Sequence, residues 1–203
     1  NKYLEFIKKE RLKMKFVKVQ QKNFLENVIS DADYKFLKAK LKKDGFTDWY
    51  FVVWFLTATG ARVSELLQIK VEHVYAGYLD LYTKGGKMRR IYIPMKLMEE
   101  AAKWLQEHNR HTGYLFLNRF GERITSRGVA MQLKHFAEKY GLNSKVVYPH
   151  SFRHRFAKNF LDRFNDISLL ADLMGHESIE TTRIYLRRTA TEQKQIVDKI
   201  VNW

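Results

Sequence analysis

Apolar side chains recur at helical spacing along most of the chain, which predicts a mainly helical protein. A first helix is expected over residues 31–43, capped by Ser30 or Asp31. A second helix, over about 48–59, is apolar on all sides and ends at Gly60, so we expect it at the buried centre of the domain. Further helices are expected at 62–69, 95–109, 126–140, 150–164, 167–174, 179–187 and 190–202.

The hydrophobic period changes from 3.6 to two in the middle of the chain. Three segments there alternate or are rich in β-branched and aromatic residues: 71–75, 78–83 and 88–93. Gly85 and Gly86 suit a tight two-residue hairpin turn, which would hold Lys84 and Lys87 at its tip. The predicted fold class is therefore mainly α with a small three-stranded antiparallel sheet, an α+β fold.

The composition bounds the size of the core and the number of domains. With 203 residues, of which 45% are hydrophobic, the chain can bury one full core. The first 22 residues carry eight Lys or Arg and two Glu, so we expect a basic linker over 1–22 and one domain over 23–203. The sequence has no Cys, which excludes disulfides and thiolate zinc sites and fits a reducing compartment. Because no apolar run reaches the roughly 18 residues of a membrane span, we expect a cytoplasmic protein.

The charge balance indicates the kind of partner. Lys and Arg number 37 against 22 Asp and Glu, which gives a formal net charge of +15 and an isoelectric point near 9.8. Such a surplus favours a polyanionic partner, and nucleic acid is the first candidate. A basic but otherwise ordinary enzyme is the alternative.

Six polar residues have the chemical types that a metal-free attack on a DNA phosphodiester requires. They are Arg62, Lys84, His150, Arg153, His176 and Tyr185. Taken singly, each has an ordinary explanation. Arg62 and Glu65, spaced i, i+3, could form a surface ion pair. Lys84 could be a solvated turn lysine, His150 a structural residue at a helix start, and Tyr185 a core tyrosine.

The set nevertheless fits one reaction. A phenol with an ordinary pKa near 10 is a poor nucleophile at pH 7, so Tyr185 would need a cationic site and a proton acceptor, for which His150 is the candidate. The two arginines of the set and His176 could donate to the phosphate oxygens as negative charge builds there. Lys84, at the tip of the hairpin, could protonate the leaving 5′ oxygen.

Metal and nucleotide sites are the competing interpretations. His150 and His154 are spaced i, i+4, and His108 and His111 are spaced i, i+3, but neither pair is accompanied by an HExxH motif or an acidic cluster. The sequence also lacks the glycine-rich loop that cradles nucleotide phosphates. We therefore expect neither a metal nor any other cofactor.

Four separated segments together resemble the tyrosine recombinases, the family of phage-type integrases and Xer-type resolution enzymes. They are TGARVSELLQI, YTKGGKMRRIYIP, HSFRHRFA and LMGHESIETTRIYL, and the resemblance covers residues 24–203. It implies the catalytic-domain fold of that family and an intact catalytic set, with Glu65 supporting the first arginine. The matched positions are Arg62, Lys84, His150, Arg153, His176 and Tyr185. The implied product is a 3′-phosphotyrosyl bond, formed without metal or ATP.

The resemblance also implies contacts with double-stranded DNA. The segment Thr125-Ser126-Arg127 opens a helix whose start resembles the major-groove helix of the family, and Arg127 is the candidate for a base or phosphate contact. A capped surface helix with a solvated arginine is the alternative. The other expected DNA contacts follow the backbone and come from the basic hairpin. They are Lys87, Arg89 and Arg90.

The expected helix at 190–202 has an apolar stripe that could pack against its own protomer or against a neighbouring copy. The stripe is made of Ile196, Val197, Ile200, Val201 and Trp203. Because the family exchanges a C-terminal segment between protomers, the resemblance implies a homo-tetramer in synapsis and a monomer without DNA. The chain begins on Asn, and 22 residues cannot hold the family's N-terminal core-binding domain, so we expect that domain to be absent.

The leading hypothesis for function is DNA strand cleavage and joining in site-specific recombination, with integration or excision of a mobile element as the setting. A type IB topoisomerase-like relaxing enzyme would share the chemistry but work as a monomer. A non-catalytic DNA-binding module with the same fold is the alternative from another class, although the intact set of six residues argues against it.

Overall fold

The computed structural model shows a mainly helical protein with a small antiparallel sheet, which confirms the predicted class at that level. It describes residues 28–82, 88–176, 178–186, 194 and 197–201. The elements in chain order are α1 (Asp31–Lys43), α2 (Thr47–Thr59), α3 (Val63–Leu66), α4 (Val71–Ala76), β1 (Tyr78–Tyr82), β2 (Met88–Tyr92), α5 (Met95–Glu107), α6 (Ser126–Lys139), α7 (Pro149–Arg163), α8 (Ile167–Met174), α9 (Ile179–Arg183) and a 3₁₀ turn (Ile184–Leu186).

Helix α2 forms the centre of the main core, as its apolar sequence predicted. Phe51, Val52, Val53, Phe55 and Leu56 are all buried, and the helix packs against α1, α5 and α7. The preceding helix begins where the sequence predicted, because the Ser30 side chain accepts a hydrogen bond from the Asp33 amide at 3.0 Å. The first two helix predictions are therefore confirmed.

The predicted strand at 71–75 is wrong, because these residues form helix α4. The Lys70 amide donates to Nδ1 of His73 at 3.0 Å, which caps the first turn of this helix. Gly77, at φ 79°, ends the helix with the left-handed conformation that glycine adopts readily. In the part of the chain that the structure describes, the sheet consists of β1 and β2 alone, paired antiparallel.

The end of α2 determines where Arg62 lies. Gly60 closes the helix at φ 62°, and a Cβ at this position would come within 2.4 Å of the Phe156 ring on α7. This close approach lets the chain turn at once through the buried Ala61 into α3. Arg62 therefore sits between the end of one helix and the start of the next, directly beside α7.

A smaller apolar cluster joins α7 and α8 to the 3₁₀ turn. Its buried members are Ala157, Leu161, Leu170 and Met174. Phe156, Phe160, Tyr185 and Leu186 pack against them from the outside. The expected helix at 179–187 is thus the short helix α9 followed by the turn that carries Tyr185.

Several sequence expectations concern residues outside the described ranges. These are the basic linker 1–22, Lys84 and Lys87 of the expected hairpin, and Ile196 and Trp203 of the expected last helix. Of that helix, Val197, Ile200 and Val201 are described, and all three are exposed. Among the described helices, none combines the length and apolar character that crossing a membrane requires.

Candidate active site

A half-buried carboxylate, Glu65, organises the first part of the site. Its Oε2 accepts a hydrogen bond from the Arg62 amide at 2.7 Å, and its Oε1 accepts one from Nη1 of Arg62 at 2.9 Å. Nη1 of Arg89 also donates to Oε1. Burial by itself would raise the pKa of Glu65, but the charge of Arg89 and the hydrogen bonds from both arginines outweigh it and lower that pKa. Glu65 is therefore ionised at neutral pH.

Arg153 is the most deeply buried arginine of the site, with 3% of its surface exposed. Its Nη1 donates to the carbonyl of Gly60 at 2.7 Å, and its Nη2 donates to the carbonyl of Met174 at 2.6 Å. Glu65 Oε2 lies 3.9 Å from Nη1. Burial, followed by repulsion from the neighbouring arginines, lowers the pKa of Arg153 to about 10, so the guanidinium stays charged at pH 7.

The end of α8 brings three guanidinium groups together. The successive carbonyls 173–175 accept hydrogen bonds from Arg89 at 2.8 Å, from Arg153 at 2.6 Å and from Arg62 at 3.0 Å. The C-terminal end of a helix carries partial negative charge, which favours cations at this place. His176 follows directly, so the same helix end also positions the candidate histidine.

The expectation that Arg89 follows the DNA backbone is wrong. Strand alternation turns Arg89 inward while Met88 and Arg90 face outward, and only 6% of the Arg89 side chain is exposed. Its guanidinium supports Glu65 instead. Arg90 lies on the outer face of the strand, where Asp80 accepts two hydrogen bonds of 2.7 Å from it.

The two candidate histidines lie next to this cluster. Nδ1 of His176 is 2.7 Å from the hydroxyl of the buried Thr182, which fixes the ring. Burial, followed by the charges of Arg153 and Arg62, lowers the pKa of His176 to about 4. His150 keeps part of its ring in solvent, yet partial desolvation, followed by the same two arginines, also lowers its pKa. His176 is therefore a neutral hydrogen-bonding group at pH 7.

Tyr185 points toward α7 of its own protomer. Its hydroxyl is 2.6 Å from Nδ1 of His154, and the two ring centroids are 5.5 Å apart. Burial raises the pKa of Tyr185 to about 12, while Arg153 opposes that shift. Burial, followed by the charges of His150 and Arg153, lowers the pKa of His154 to about 4. At neutral pH a phenol thus meets an uncharged imidazole.

His154 is the residue that sequence reasoning missed. It was considered only as a partner of His150 in a metal site, but the described residues contain no group of three or more His, Asp or Glu side chains that could hold a metal. The available signal was its spacing, since i and i+4 put both rings on one face of α7, 5.9 Å apart. Its contact with Tyr185, 31 positions away, depends on the tertiary fold.

The structure brings together most of the residues that the sequence singled out. Arg153 lies close enough to His150, His176 and Tyr185 to influence the pKa of each, and Arg62 influences the same two histidines. Two guanidinium groups and an imidazole beside a phenol form a site that suits an anion such as a phosphodiester. Lys84 falls outside the described residues.

A groove of about 650 Å³ is lined in part by residues that follow Arg62 in the chain. These are Ser64 and Gln68, and Thr125 and Ser126 at the start of α6 also line the groove. The other lining residues are Leu67, Lys70, His73, Leu79, Asp80, Leu81, Tyr114, Arg123 and Ile124. Arg127 is exposed on the first turn of α6 and follows Thr125 and Ser126, two of the residues that line the groove.

Known proteins resemble this chain in both sequence and fold. Tyrosine recombinase XerA of Pyrococcus furiosus is 35% identical over 181 residues, which cover 86% of this chain and 62% of that protein. The crystal structure of XerA recombinase has a TM-score of 0.71 at 23% identity, over 87% of this chain and 64% of that one. The XerH site-specific recombinase in a post-cleavage complex with palindromic difH substrate has a TM-score of 0.67 at 22% identity, over 89% of this chain and 54% of that one.

The chain thus spans between about half and two thirds of the length of these relatives. A family model described as the phage integrase family matches residues 27–192. The resemblance to tyrosine recombinases that the four motifs indicated is confirmed. Because the family match extends over most of its length, the chain belongs to the phage integrase family.

Proposed function

We propose that this chain is the catalytic domain of a site-specific DNA recombinase that cleaves and rejoins strands through Tyr185. The observation that carries the proposal is that Tyr185 lies within electrostatic reach of Arg153, inside one protomer, while Arg153 and Arg62 both act on His176. A phenol in such a place can attack phosphorus, because the arginine side chains can donate hydrogen bonds to the phosphate oxygens as negative charge develops on them.

In the proposed reaction, each side chain of the site has one role. A phosphodiester binds through the exposed part of Arg62, whose side chain is 42% exposed, and through the remaining donors of Arg153. Neutral His176, held by Thr182, donates to a non-bridging oxygen. Tyr185 attacks and forms a 3′-phosphotyrosyl bond, and Lys84 protonates the leaving 5′ oxygen. Glu65 keeps Arg62 in place without touching the substrate.

The energy of the phosphotyrosyl bond resembles that of the phosphodiester it replaces, so rejoining needs no ATP. A second DNA 5′ hydroxyl attacks the same phosphorus and releases Tyr185. The reaction as a whole conserves the number of phosphodiester bonds, which suits integration or excision of a mobile element. No step requires a metal ion or other cofactor.

Double-stranded DNA is the proposed substrate. The net charge of +15 attracts a polyanion, and the groove is lined both by residues that follow Arg62 in the chain and by the start of α6. Arg127 and Arg90 are placed on the outside, where Arg127 is free to meet a base or phosphate and Arg90 shares its charge with Asp80. Lys87 belongs to the same proposed DNA-contacting surface.

The relatives support both the substrate and assembly on it. The XerH structure is described as a recombinase bound to its palindromic DNA site, and a palindrome presents two equivalent half-sites to two copies of a protein. We propose the same for this chain, with a tetramer in synapsis and the exposed Val197, Ile200 and Val201 in contact with a neighbouring copy. The topoisomerase and non-catalytic alternatives gain no support from relatives named as recombinases.

Covalent capture tests the proposal without knowledge of the target site. The protein is incubated with a library of nicked duplexes that carry a randomised core, and DNA that stays attached under denaturing conditions is sequenced. We expect a defined sequence motif, attached through a 3′ phosphate, and complete loss of the adduct in Tyr185→Phe. A wild-type protein that yields no adduct above the Tyr185→Phe background would overturn the proposed function.

A further inference from the structure

We propose that His154 is the group that orients the Tyr185 hydroxyl and accepts its proton during the attack. This inference rests on the proposed function and deepens it, since it concerns the nucleophile of that same reaction. His150, the candidate from the sequence, then contributes to the surroundings of His154 and is not the first proton acceptor.

The geometry of the hydrogen bond carries the inference. The oxygen of Tyr185 and Nδ1 of His154 are 2.6 Å apart, which is a short contact for a neutral donor and acceptor. His154 is on α7, one residue after Arg153, so the helix that supplies a phosphate-binding guanidinium also supplies the partner of the nucleophile. Tyr185 is thereby held at the edge of the cation site before any DNA arrives.

The protonation states fix the direction of this hydrogen bond. The pKa of His154 is lowered to about 4 and that of Tyr185 is raised to about 12, so both side chains are neutral at pH 7. The groups that face His154 include His150 and Arg153 on its own helix, Tyr185 on the 3₁₀ turn and His176 after α8. Burial and the positive charge of Arg153 favour a neutral imidazole, which can accept the phenol proton at Nδ1.

In the proposed attack, the proton of Tyr185 moves to His154 while the DNA strand is cleaved. The O–H bond of Tyr185 breaks as its oxygen forms the bond to phosphorus, and the proton passes to Nδ1 of His154. The bond from phosphorus to O5′ breaks, and O5′ leaves with the electron pair and takes a proton from Lys84. The imidazolium formed at His154 then lies next to the negatively charged phosphodiester, which stabilises it. On rejoining, His154 returns the proton to Tyr185.

A first measurement needs no DNA. In ¹⁵N NMR spectra of the full chain at pH 7, we expect His154 to be the tautomer with its proton on Nε2. We also expect its Nδ1 resonance to move when Tyr185→Phe removes the phenol. A proton found on Nδ1, or a resonance unchanged in Tyr185→Phe, would overturn the inference whatever the enzyme does with DNA.

A second measurement separates nucleophile activation from protonation of the leaving group. The captured DNA motif is prepared as a nicked duplex with sulfur in place of the scissile 5′ bridging oxygen, since a thiolate leaves without an acid. Lys84→Ala should then react almost normally. His154→Leu should stay slow by about 100-fold or more on both the sulfur and the oxygen substrate, as is typical for loss of a general base.

Two variants of nearly equal shape identify what His154 supplies. His154→Asn keeps an oxygen that can accept the hydrogen bond of Tyr185 near the position of Nδ1, but an amide oxygen is too weakly basic to take up the proton, and His154→Leu removes the acceptor as well. We therefore expect both variants to be slow by about 100-fold or more. His111→Leu, at an exposed position in the 108–114 loop, is the matched control and should cleave like the wild type. Thermal unfolding of each variant reports whether the fold is intact.

The outcomes distinguish the two proposals. If the wild type cleaves and His154→Leu cleaves equally well, the inference is overturned while the proposed function stands. If His154→Asn cleaves as fast as the wild type, His154 supplies a hydrogen bond and no proton acceptor, which also overturns it. If the wild type forms no adduct, the proposed function fails first and this inference fails with it.

Discussion

The cation cluster and the segment that carries Tyr185, the proposed nucleophile, are held in very different ways. Arg153 and Arg89 are buried and donate to main-chain carbonyls at helix ends, so their positions belong to the core itself. Tyr185 is carried by a three-residue 3₁₀ turn after a five-residue helix, and it packs against a small satellite cluster. Its hydroxyl is held mainly by one side chain, His154.

The cation cluster and Tyr185 have different tasks in the proposed reaction. Electrostatic stabilisation of a transition state works best with donors that need no rearrangement, and a buried network satisfies that condition. A nucleophile that forms a covalent bond to DNA and later releases it must move, and a short segment with few buried contacts permits that. The four changes below are expected to alter the free energy of unfolding by different amounts. Together they test whether the cation cluster is held more firmly than Tyr185.

Glu65→Gln should give the largest loss of stability. It removes the negative charge shared by Arg62, Arg89 and Arg153 and leaves buried positive charges uncompensated, for which a cost of about 3–5 kcal/mol is expected. Urea denaturation measures it. Glu180→Gln is the control, because Glu180 and Arg183 form a pair at the same i, i+3 spacing that is largely exposed. Equal effects from the two substitutions would contradict the contrast.

Gly175→Ala should have the next largest effect. Gly175 has φ 61°, and a Cβ there would lie 2.3 Å from Cδ of the buried Arg89, so backbone strain and a clash act together. We expect a loss of about 1–3 kcal/mol. Gly121→Ala is the matched control, since Gly121 has φ 78° but open space around it. If both substitutions cost the same, Arg89 is not fixed by the end of α8.

Acid should destabilise the protein between about pH 6.5 and pH 4. His154 and His176 have pKa values lowered to about 4, whereas in the unfolded chain they take up protons near the ordinary value of 6.5. The unfolded state therefore binds more protons in this range, and the stability that is fully present above pH 6.5 is lost as the pH falls toward 4. Thermal unfolding across this range measures the slope. The double variant His154→Asn, His176→Asn should show a shallower one.

Tyr185→Phe should have the smallest effect on stability. Phenylalanine keeps the ring in the satellite cluster and loses only the hydrogen bond to His154, so we expect a change of no more than about 1 kcal/mol. Urea denaturation at pH 7 measures it against the wild type. A loss as large as that of Glu65→Gln would show that Tyr185 is held as firmly as the buried arginines.

The sequence predicted the elements whose determinants are local. The helix at 31–43 begins at its Ser30 cap, and the all-apolar segment after it became the buried centre. The error at 71–75 arose because β-branched and aromatic residues favour a strand, whereas the contact between the Lys70 amide and His73 and the glycine at 77 close a helix around them.

The motifs predicted the members of the candidate site but not how they are held. Arg89 looked like one more basic residue of a hairpin, and only the strand register turns it toward Glu65. His154 had no motif of its own, because its partner lies 31 positions away. Contacts of this kind depend on how α7, α8 and the 3₁₀ turn pack, and neither hydrophobic period nor spacing encodes that packing.

Arg62 and the carbonyl it reaches at Gly175 are 113 positions apart in the chain. A copy still emerging from the ribosome, or one partly unfolded by heat, carries Tyr185 but has no assembled place for a phosphate beside it. Under the proposed function, such a copy is unable to nick a chromosome. Under that function, strand cleavage therefore depends on completed folding, because folding assembles the guanidinium groups that bind the phosphate.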